Sequence, residues 1–159
     1  MSVPYLLNQS ADRLSRGLST IYQYHLVRSL REKIKRKFSG KTTMRFDLGK
    51  LDRVRSFYQF DDAITAPMHS FAGADDYYRQ PSSRQYLSDI RVPALLIHAL
   101  DDPFMLPESV PDENELSENV MLELAEIGGH VGFVGGRYPW EPVYWLEQRI
   151  IHYLEQYLT

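Results

Sequence analysis

The sequence contains no cysteine. Within these 159 residues, that absence excludes a disulfide, a thiolate nucleophile and any zinc site built on cysteine. There is also no apolar run long enough to span a bilayer, and the first residues show neither the basic segment nor the apolar segment of a secretory signal. We therefore expect a cytoplasmic protein without a transmembrane segment.

The sequence also lacks the usual setting of a catalytic serine. A Gly-x-Ser-x-Gly run, which places the serine on a tight turn between a strand and a helix, occurs nowhere. Ser39 precedes Gly40 and Ser70 lies three residues before Gly73, but neither serine has a glycine two residues before it. The sequence therefore predicts that a serine nucleophile, if one is used, lies outside this chain.

Charge is unevenly distributed, although the whole chain carries a net charge of only −3. Residues 1–50 hold eleven basic and three acidic side chains, a net charge of +8, so the remaining residues carry −11. Basic side chains cluster in residues 28–41, a pattern typical of a solvated helix face or of peripheral contact with an anionic membrane surface. No zinc framework or glycine-rich loop accompanies the cluster, which argues against nucleic-acid binding.

Periodicity predicts a helical first half. Apolar residues supply 43% of the chain, enough for the core of one domain or of a part of one. An apolar residue recurs every four positions, which predicts one long amphipathic helix that ends at Ser39-Gly40. The stripe consists of Leu14, Leu18, Tyr22, Leu26, Leu30, Ile34 and Phe38, and Ile21 widens it. Shorter helical patterns follow, so residues 1–90 are predicted to be mostly helical.

The pattern changes after residue 91. The apolar run 94–97 is followed by Asp101-Asp102-Pro103, as expected for a parallel strand buried on both faces. Residues 120–125 predict a second strand. A C-terminal helix is predicted to begin near Pro142. Its apolar face comprises Leu146, Ile150, Tyr153, Leu154 and Tyr157. Residues 91–159 are therefore predicted to form an α/β core segment.

An acid and a histidine follow the two predicted strands. Because the carboxyl ends of parallel strands meet at one edge of a sheet, we expect Asp102 and His130 to lie close together. A carboxylate bonded to a histidine fixes the ring's tautomer and stabilises the imidazolium that forms when the ring takes a proton from a nucleophile. Gly128 and Gly129 are expected to turn the backbone with positive φ beside the histidine. The alternatives are an ordinary turn with a surface histidine, or a metal site that adds His98.

Four runs occur in a fixed order: 60–69 (FDDAITAPMH), 74–79 (ADDYYR), 92–104 (VPALLIHALDDPF) and 128–136 (GGHVGFVGG). Together they resemble the α/β hydrolases of the YheT type, relatives of the abhydrolase-domain esterases, and they match the C-terminal half of that family. The resemblance implies an α/β-hydrolase fold with Asp102, directly before the proline, as the acid and His130 as the base. Ser70 stands where the resemblance implies a glycine.

The resemblance also implies a function. The chain is expected to be the C-terminal part of a serine-dependent carboxylic ester hydrolase that acts on an acylglycerol or a similar medium-chain ester. Residues 1–90 are implied to form a lid-like excursion over the active site. The nucleophilic serine and the oxyanion-hole glycines belong to the N-terminal half of such enzymes, so that half is the implied partner and the chain alone is expected to be inactive. No metal or organic cofactor is implied.

An alternative from another class remains open. The strand-and-helix unit is also consistent with a non-catalytic interaction module left by truncation. In a variant of this alternative, the basic segment 28–41 binds lipid or nucleic acid.

Overall fold

A computed structural model describes residues 5–41, 44–138 and 140–158. The described chain forms two compact units. One unit is Leu6–Ser82, and the other comprises Tyr5 together with residues 83–158. None of the described helices is both long enough and apolar enough to cross a membrane.

The unit Leu6–Ser82 is helical. Its elements are α1 (Leu7–Leu14), α2 (Ser19–Phe38), a 3₁₀ turn (Leu48–Arg53), α3 (Phe57–Phe60), a π-helical turn (Asp61–Thr65), α4 (Ala66–Met68) and α5 (Ala74–Arg79). Buried Val27 of α2 packs with Leu51 and Ile64, and Leu30, Ile34 and Phe38 flank this core. The predicted helical character of this part of the chain is therefore confirmed.

The predicted apolar stripe is wrong at its N-terminal end. The helix does not run unbroken from Leu14, because the backbone turns at Gly17 with a φ of +58° and α2 begins at Ser19. Leu18, Ile21 and Tyr22 are exposed. A four-residue step exceeds one helical turn by about 40°, so four such steps back from Ile34 carry Leu18 to the opposite face of the helix.

Two of the four sequence runs that carry the family resemblance, 60–69 and 74–79, pack against each other within this unit. Asp61 accepts hydrogen bonds from the hydroxyls of Thr65 and Tyr78, both at 2.7 Å. Burial raises the pKa of the Asp61 carboxyl, and these two hydrogen bonds oppose the rise. Asp62 accepts a further hydrogen bond from the backbone N–H of Ala74 at 3.0 Å. The acidic pair at 61–62 therefore joins the π-helical turn to α5.

The second unit contains the two predicted strands. β1 (Ala94–Ala99) pairs in parallel with β2 (Val120–Ala125), from Ala94 opposite Val120 to Ala99 opposite Ala125. The predicted burial of the first strand on both faces holds only for its C-terminal half, since Ile97, His98 and Ala99 are buried and Leu95 and Leu96 are half-buried. The remaining elements are 3₁₀ turns (Ser83–Asp89, Pro107–Ser109 and Glu113–Glu115), β3 (Val134–Gly135), β4 (Val143–Tyr144) and α6 (Trp145–Glu155).

The C-terminal helix is confirmed as an element, but its apolar face is only partly covered. Tyr153 is buried, whereas Ile150 and Leu154 are exposed. They line an open groove of about 430 Å³ beside Leu95 and Ile97 of β1. The antiparallel pair of β3 and β4 was not predicted, because strands of two residues are too short to show an alternating pattern.

Ser70 carries backbone strain. Its φ is +65°, a left-handed conformation that costs a residue with a Cβ atom about 1–2 kcal/mol and costs glycine nothing comparable. Its Oγ accepts a hydrogen bond of 2.6 Å from the Arg45 guanidinium on the protein surface. The glycine that the resemblance implies at this position is thus the residue that the backbone prefers.

We predict that Ser70→Gly raises the free energy of unfolding by about 0.5–1 kcal/mol, because relief of the strain exceeds the greater freedom of glycine in the unfolded chain. Chemical denaturation measures the change. Ser39→Gly is the matched control: Ser39 has an ordinary φ of −56°, so this substitution should leave stability unchanged or lower it. Equal effects of the two substitutions would contradict the prediction.

Candidate active site

The parallel register of β1 and β2 brings two loops to one edge of the sheet. Asp101 and Asp102 follow β1, and Gly128, Gly129 and His130 follow β2. Because Ala99 lies opposite Ala125, both loops leave the sheet at its carboxyl edge. The predicted acid and the predicted histidine therefore start from neighbouring backbone positions, although they are far apart in the sequence.

The hydrogen bond predicted between Asp102 and His130 is present. Asp102 Oδ2 lies 2.9 Å from His130 Nδ1. Asp102 Oδ1 accepts a second hydrogen bond, from the backbone N–H of Phe104 at 2.9 Å. An ionised carboxylate can only accept hydrogen bonds, so the imidazole must carry a proton on Nδ1 when it bonds to Asp102. In the neutral ring, Nε2 is then the nitrogen able to take up a proton.

The acid and the histidine differ strongly in exposure. The Asp102 side chain is only 1% exposed, whereas that of His130 is 41% exposed. The rings of Phe104 and His130 make an edge-to-face contact, with 4.9 Å between the ring centres. A buried carboxylate is therefore fixed behind an imidazole that reaches the surface, and Phe104 packs against the ring.

Asp101 has a different role, which the sequence analysis missed. Its Oδ1 accepts hydrogen bonds from the backbone N–H groups of Gly128 at 2.9 Å and Gly129 at 2.8 Å. These bonds tie the loop after β1 to the turn that leads into His130. The only signal of this role in the sequence is the pair of adjacent aspartates after the strand.

The two glycines before the histidine are needed for different reasons. Gly129 has the predicted positive φ, +61°, but Gly128 does not, so that part of the prediction was wrong. A Cβ atom on Gly128 would lie 2.6 Å from the Phe133 ring and 2.9 Å from the Ala99 Cβ. Phe133 is buried and stacks on Trp145 of α6, with 5.8 Å between ring centres. Gly128 is therefore required by close packing rather than by its backbone angle.

His98 lies behind the acid in β1 and is 2% exposed. Burial lowers its pKa; Asp102 opposes this effect and His130 adds to it. The ring edge of His98 meets Tyr5, whose own pKa burial raises to about 12. In the described part of the chain, no group of three or more His, Cys, Asp or Glu side chains is placed to hold a metal ion, so the metal site that includes His98 has no structural support.

Comparison with known proteins shows a consistent set of relatives. The chain is 41% identical over 159 residues, 99% of its length, to YheT of Escherichia coli (strain K12), which is named as a candidate esterase. It is 30% identical over 136 residues to mouse phospholipase ABHD3, and 35% identical over 115 residues to human monoacylglycerol lipase ABHD2. These matches cover 84% and 67% of the chain. No protein-family model matches the chain, and no solved structure matches it.

The chain belongs to the YheT-type α/β hydrolases. It spans less than half the length of these curated relatives: 46% of YheT, 33% of ABHD3 and 26% of ABHD2. The helices and the parallel strand pair of the structure are consistent with a part of an α/β fold.

We predict that Asp101 positions the histidine loop of this YheT-type chain. Asp101→Ala removes the oxygen that accepts both hydrogen bonds, so the Gly128 and Gly129 amides should exchange with solvent about tenfold faster, and ¹⁵N shifts should show a smaller share of the Nδ1–H tautomer of His130. Asp101→Asn keeps an oxygen at the same place and should largely restore both properties.

Asp47→Ala is the matched control for this experiment. Asp47 Oδ1 accepts a hydrogen bond from the Gly49 N–H at 2.8 Å in the other unit. Its loss should speed exchange at Gly49 and leave the His130 tautomer unchanged. A His130 tautomer that does not respond to Asp101→Ala would show that Asp101 has no positioning role.

We also predict that His98 makes the fold sensitive to acid. Because its folded pKa lies below the unfolded value of about 6.5, the unfolded chain binds more protons, so stability is full above that pH and falls as the pH drops below it. The contribution approaches about 1.4 kcal/mol per pH unit for one group. Urea denaturation between pH 8 and about pH 5 measures it.

His98→Gln should flatten this pH dependence. His152→Gln, which replaces an exposed histidine of α6, should retain the wild-type pH dependence. Identical pH profiles for wild type and His98→Gln would refute the assignment.

Proposed function

We propose that the chain supplies the acid and the base of a serine-dependent carboxylic ester hydrolase. The observation that carries this proposal is the 2.9 Å hydrogen bond between buried Asp102 and His130 at the carboxyl ends of two parallel strands. The names of the relatives, an esterase, a phospholipase and a monoacylglycerol lipase, support an ester substrate. Within that class, an acylglycerol or a similar medium-chain ester fits best.

In the proposed reaction, a serine Oγ attacks the ester carbonyl carbon while His130 Nε2 takes the hydroxyl proton. The tetrahedral intermediate then expels the alcohol, to which His130 returns that proton. A water molecule repeats the sequence on the acyl-enzyme, and His130 again acts first as base and then as acid. Asp102 keeps the proton on Nδ1 and stabilises the imidazolium through each cycle. No step in this sequence requires a metal or an organic cofactor.

The serine is proposed to lie outside these 159 residues. This part of the proposal is supported by the absence of a Gly-x-Ser-x-Gly run and by the share of the relatives' length that the chain spans. Two serines after β1 are engaged in local bonds: Ser109 is fully buried and its hydroxyl donates to the Leu106 carbonyl, and Ser117 donates to the Ile90 carbonyl. The chain then corresponds to the C-terminal half of the enzyme.

The helical segment is proposed to act as a lid. Residues 1–90 precede the first strand, and the unit Leu6–Ser82 has its own core around Val27, Leu51 and Ile64. A separately packed excursion of this kind suits a cover for a hydrophobic substrate. The assignment is supported by the helical architecture of the unit and by the lipid substrates in the names of two relatives.

A non-catalytic interaction module is the second candidate function. The open groove beside β1, lined by apolar residues that include Leu95, Ile150 and Leu154, favours it. The nucleotide sequence upstream of this chain distinguishes the two candidate functions. An in-frame or frameshifted Gly-x-Ser-x-Gly segment upstream of the codon for Met1 supports the hydrolase, and unrelated upstream sequence supports the module.

We predict that the chain becomes an active esterase when it is joined to the part of Escherichia coli YheT that it does not match. In this hybrid, Asp102→Asn should lower the rate of p-nitrophenyl ester hydrolysis by about 10⁴-fold, because the histidine loses its correct tautomer. His130→Ala should reduce the rate at least as far. Asp112→Asn is the control and should stay within about twofold of the parent hybrid, because Asp112 caps the Glu113–Glu115 turn and asparagine caps a helical turn equally well.

The isolated chain tests the location of the nucleophile. It should not hydrolyse the same ester above the level of its own His130→Ala variant. Turnover by the isolated chain that a serine-directed phosphonate blocks would place the nucleophile within these residues. In the hybrid, a loss below tenfold in Asp102→Asn would assign the acid role to another residue.

A further inference from the structure

One side of α2 points away from the core of the unit Leu6–Ser82. With Val27, Ile34 and Phe38 turned inward, a helix of 3.6 residues per turn places another set of residues on the opposite side. We call this set the outer face of α2; it consists of Leu18 at the N-cap and Ile21, Tyr22, His25, Ser29, Glu32, Lys33 and Arg36 along the helix. It extends for about 27 Å, at 1.5 Å per residue.

The N-terminal part of the outer face is apolar and exposed. Leu18 is 87% exposed and Ile21 is 62% exposed, and Tyr22 beside them is exposed as well. Adjacent aliphatic and aromatic side chains at the start of a helix form an apolar patch rather than a single exposed residue. Such a patch gains free energy when another apolar phase removes it from water.

The C-terminal part of the outer face is basic. Lys33 and Arg36 are exposed, and Lys37 next to them is exposed too. In the described part of the chain none of these three forms an ion pair, whereas Arg28 is paired with Glu32, and Arg31 and Lys35 are paired with Asp52. The acidic side chains near α2 therefore neutralise other cations and leave this end of the outer face positively charged.

We propose that the outer face of α2 binds the surface of an anionic phospholipid bilayer. The helix lies tilted in the membrane surface, so that Leu18, Ile21 and Tyr22 at its N-terminal end insert at the boundary between headgroups and acyl chains while its C-terminal end stays at the level of the lipid phosphates. Lys33 and Arg36 contact the lipid phosphates. An apolar end beside a basic end on one helix face matches the apolar and anionic layers of such a membrane.

The outer face fits a bilayer better than it fits a nucleic acid. A nucleic acid offers phosphates for Lys33 and Arg36 but no apolar layer for Leu18 and Ile21, which would remain in water. The inference does not rest on the proposed hydrolase function, since the outer face contains neither Asp102 nor His130. The two can therefore fail separately.

Sedimentation with lipid vesicles tests the proposal on the full 159-residue chain. We expect tight binding to vesicles with about one third phosphatidylglycerol, weak binding to pure phosphatidylcholine, and release from the anionic vesicles at high salt. Lys33→Glu/Arg36→Glu should weaken binding at least about 25-fold, since each basic residue near the surface contributes about fivefold. Leu18→Ser/Ile21→Ser should also weaken vesicle binding, because it removes the apolar part of the binding free energy, and the size of this loss should not change with salt.

Arg91→Glu/Arg137→Glu is the matched control. It makes the same change in net charge at two exposed positions of the other unit and should bind within about threefold of wild type. Leu18→Trp supplies a readout that does not depend on loss of binding: after subtraction of the wild-type spectrum, to which Trp140 and Trp145 contribute, its added fluorescence should shift to the blue with anionic vesicles and stay unchanged with neutral ones. Circular dichroism confirms that each variant keeps its helices.

Three kinds of result would overturn the proposal. One is equal binding to neutral and anionic vesicles. Another is unchanged binding by Lys33→Glu/Arg36→Glu, or a Leu18→Trp signal that does not respond to lipid. The third is a different occupant of the outer face: tighter binding to a single-stranded oligonucleotide than to vesicles, or a dimer that Leu18→Ser/Ile21→Ser dissociates while vesicle binding is unchanged.

Discussion

The parallel register of β1 and β2 is the constraint on which the candidate site depends. Asp102 and His130 are 28 residues apart, yet the pairing of Ala99 with Ala125 brings their loops to the same edge of the sheet. A slip of one residue would turn the side chains of one strand to the other face and shift its loop relative to the other. Arg149 of α6 also bonds to Glu123 in β2 at 2.7 Å, so the helix helps to hold the second strand in place.

The two neighbouring aspartates after β1 stabilise different parts of the site. Asp102 is buried and forms a hydrogen bond with the His130 ring. Asp101 is exposed and accepts hydrogen bonds from the backbone N–H groups of the two glycines directly before His130. Ring and backbone are thus fixed from one loop. A histidine fixed only by its ring could rotate with its loop, and one fixed only by its backbone could change tautomer. The pair restrains both motions, and this restraint is the preorganisation that the proposed proton transfer requires.

Sequence reasoning located the features that short-range patterns encode. The apolar runs at 94–97 and 120–125 are strands, and the acid and histidine that follow them are in contact. The stripe through Leu18 and Tyr22 failed because a strict four-residue repeat drifts around a helix. Asp101 was missed because its partners are backbone N–H groups, which leave no trace in residue type. Gly128 was explained by the wrong cause, because its close contact with Phe133 depends on tertiary packing.

The two units carry different parts of the physical chemistry. The contacts described above that fix His130 come from the unit with β1 and β2, namely those of Asp101, Asp102, Phe104 and the close packing of Gly128. Exposed Leu18 and Ile21 belong to the unit Leu6–Ser82, as do the α2 cations that form no ion pair within the described residues. Proton-transfer geometry and surface chemistry therefore depend on separate sets of residues. A substitution on α2 is therefore expected to change the proposed membrane contact without disturbing Asp102 and His130, and a substitution beside His130 is expected to do the reverse.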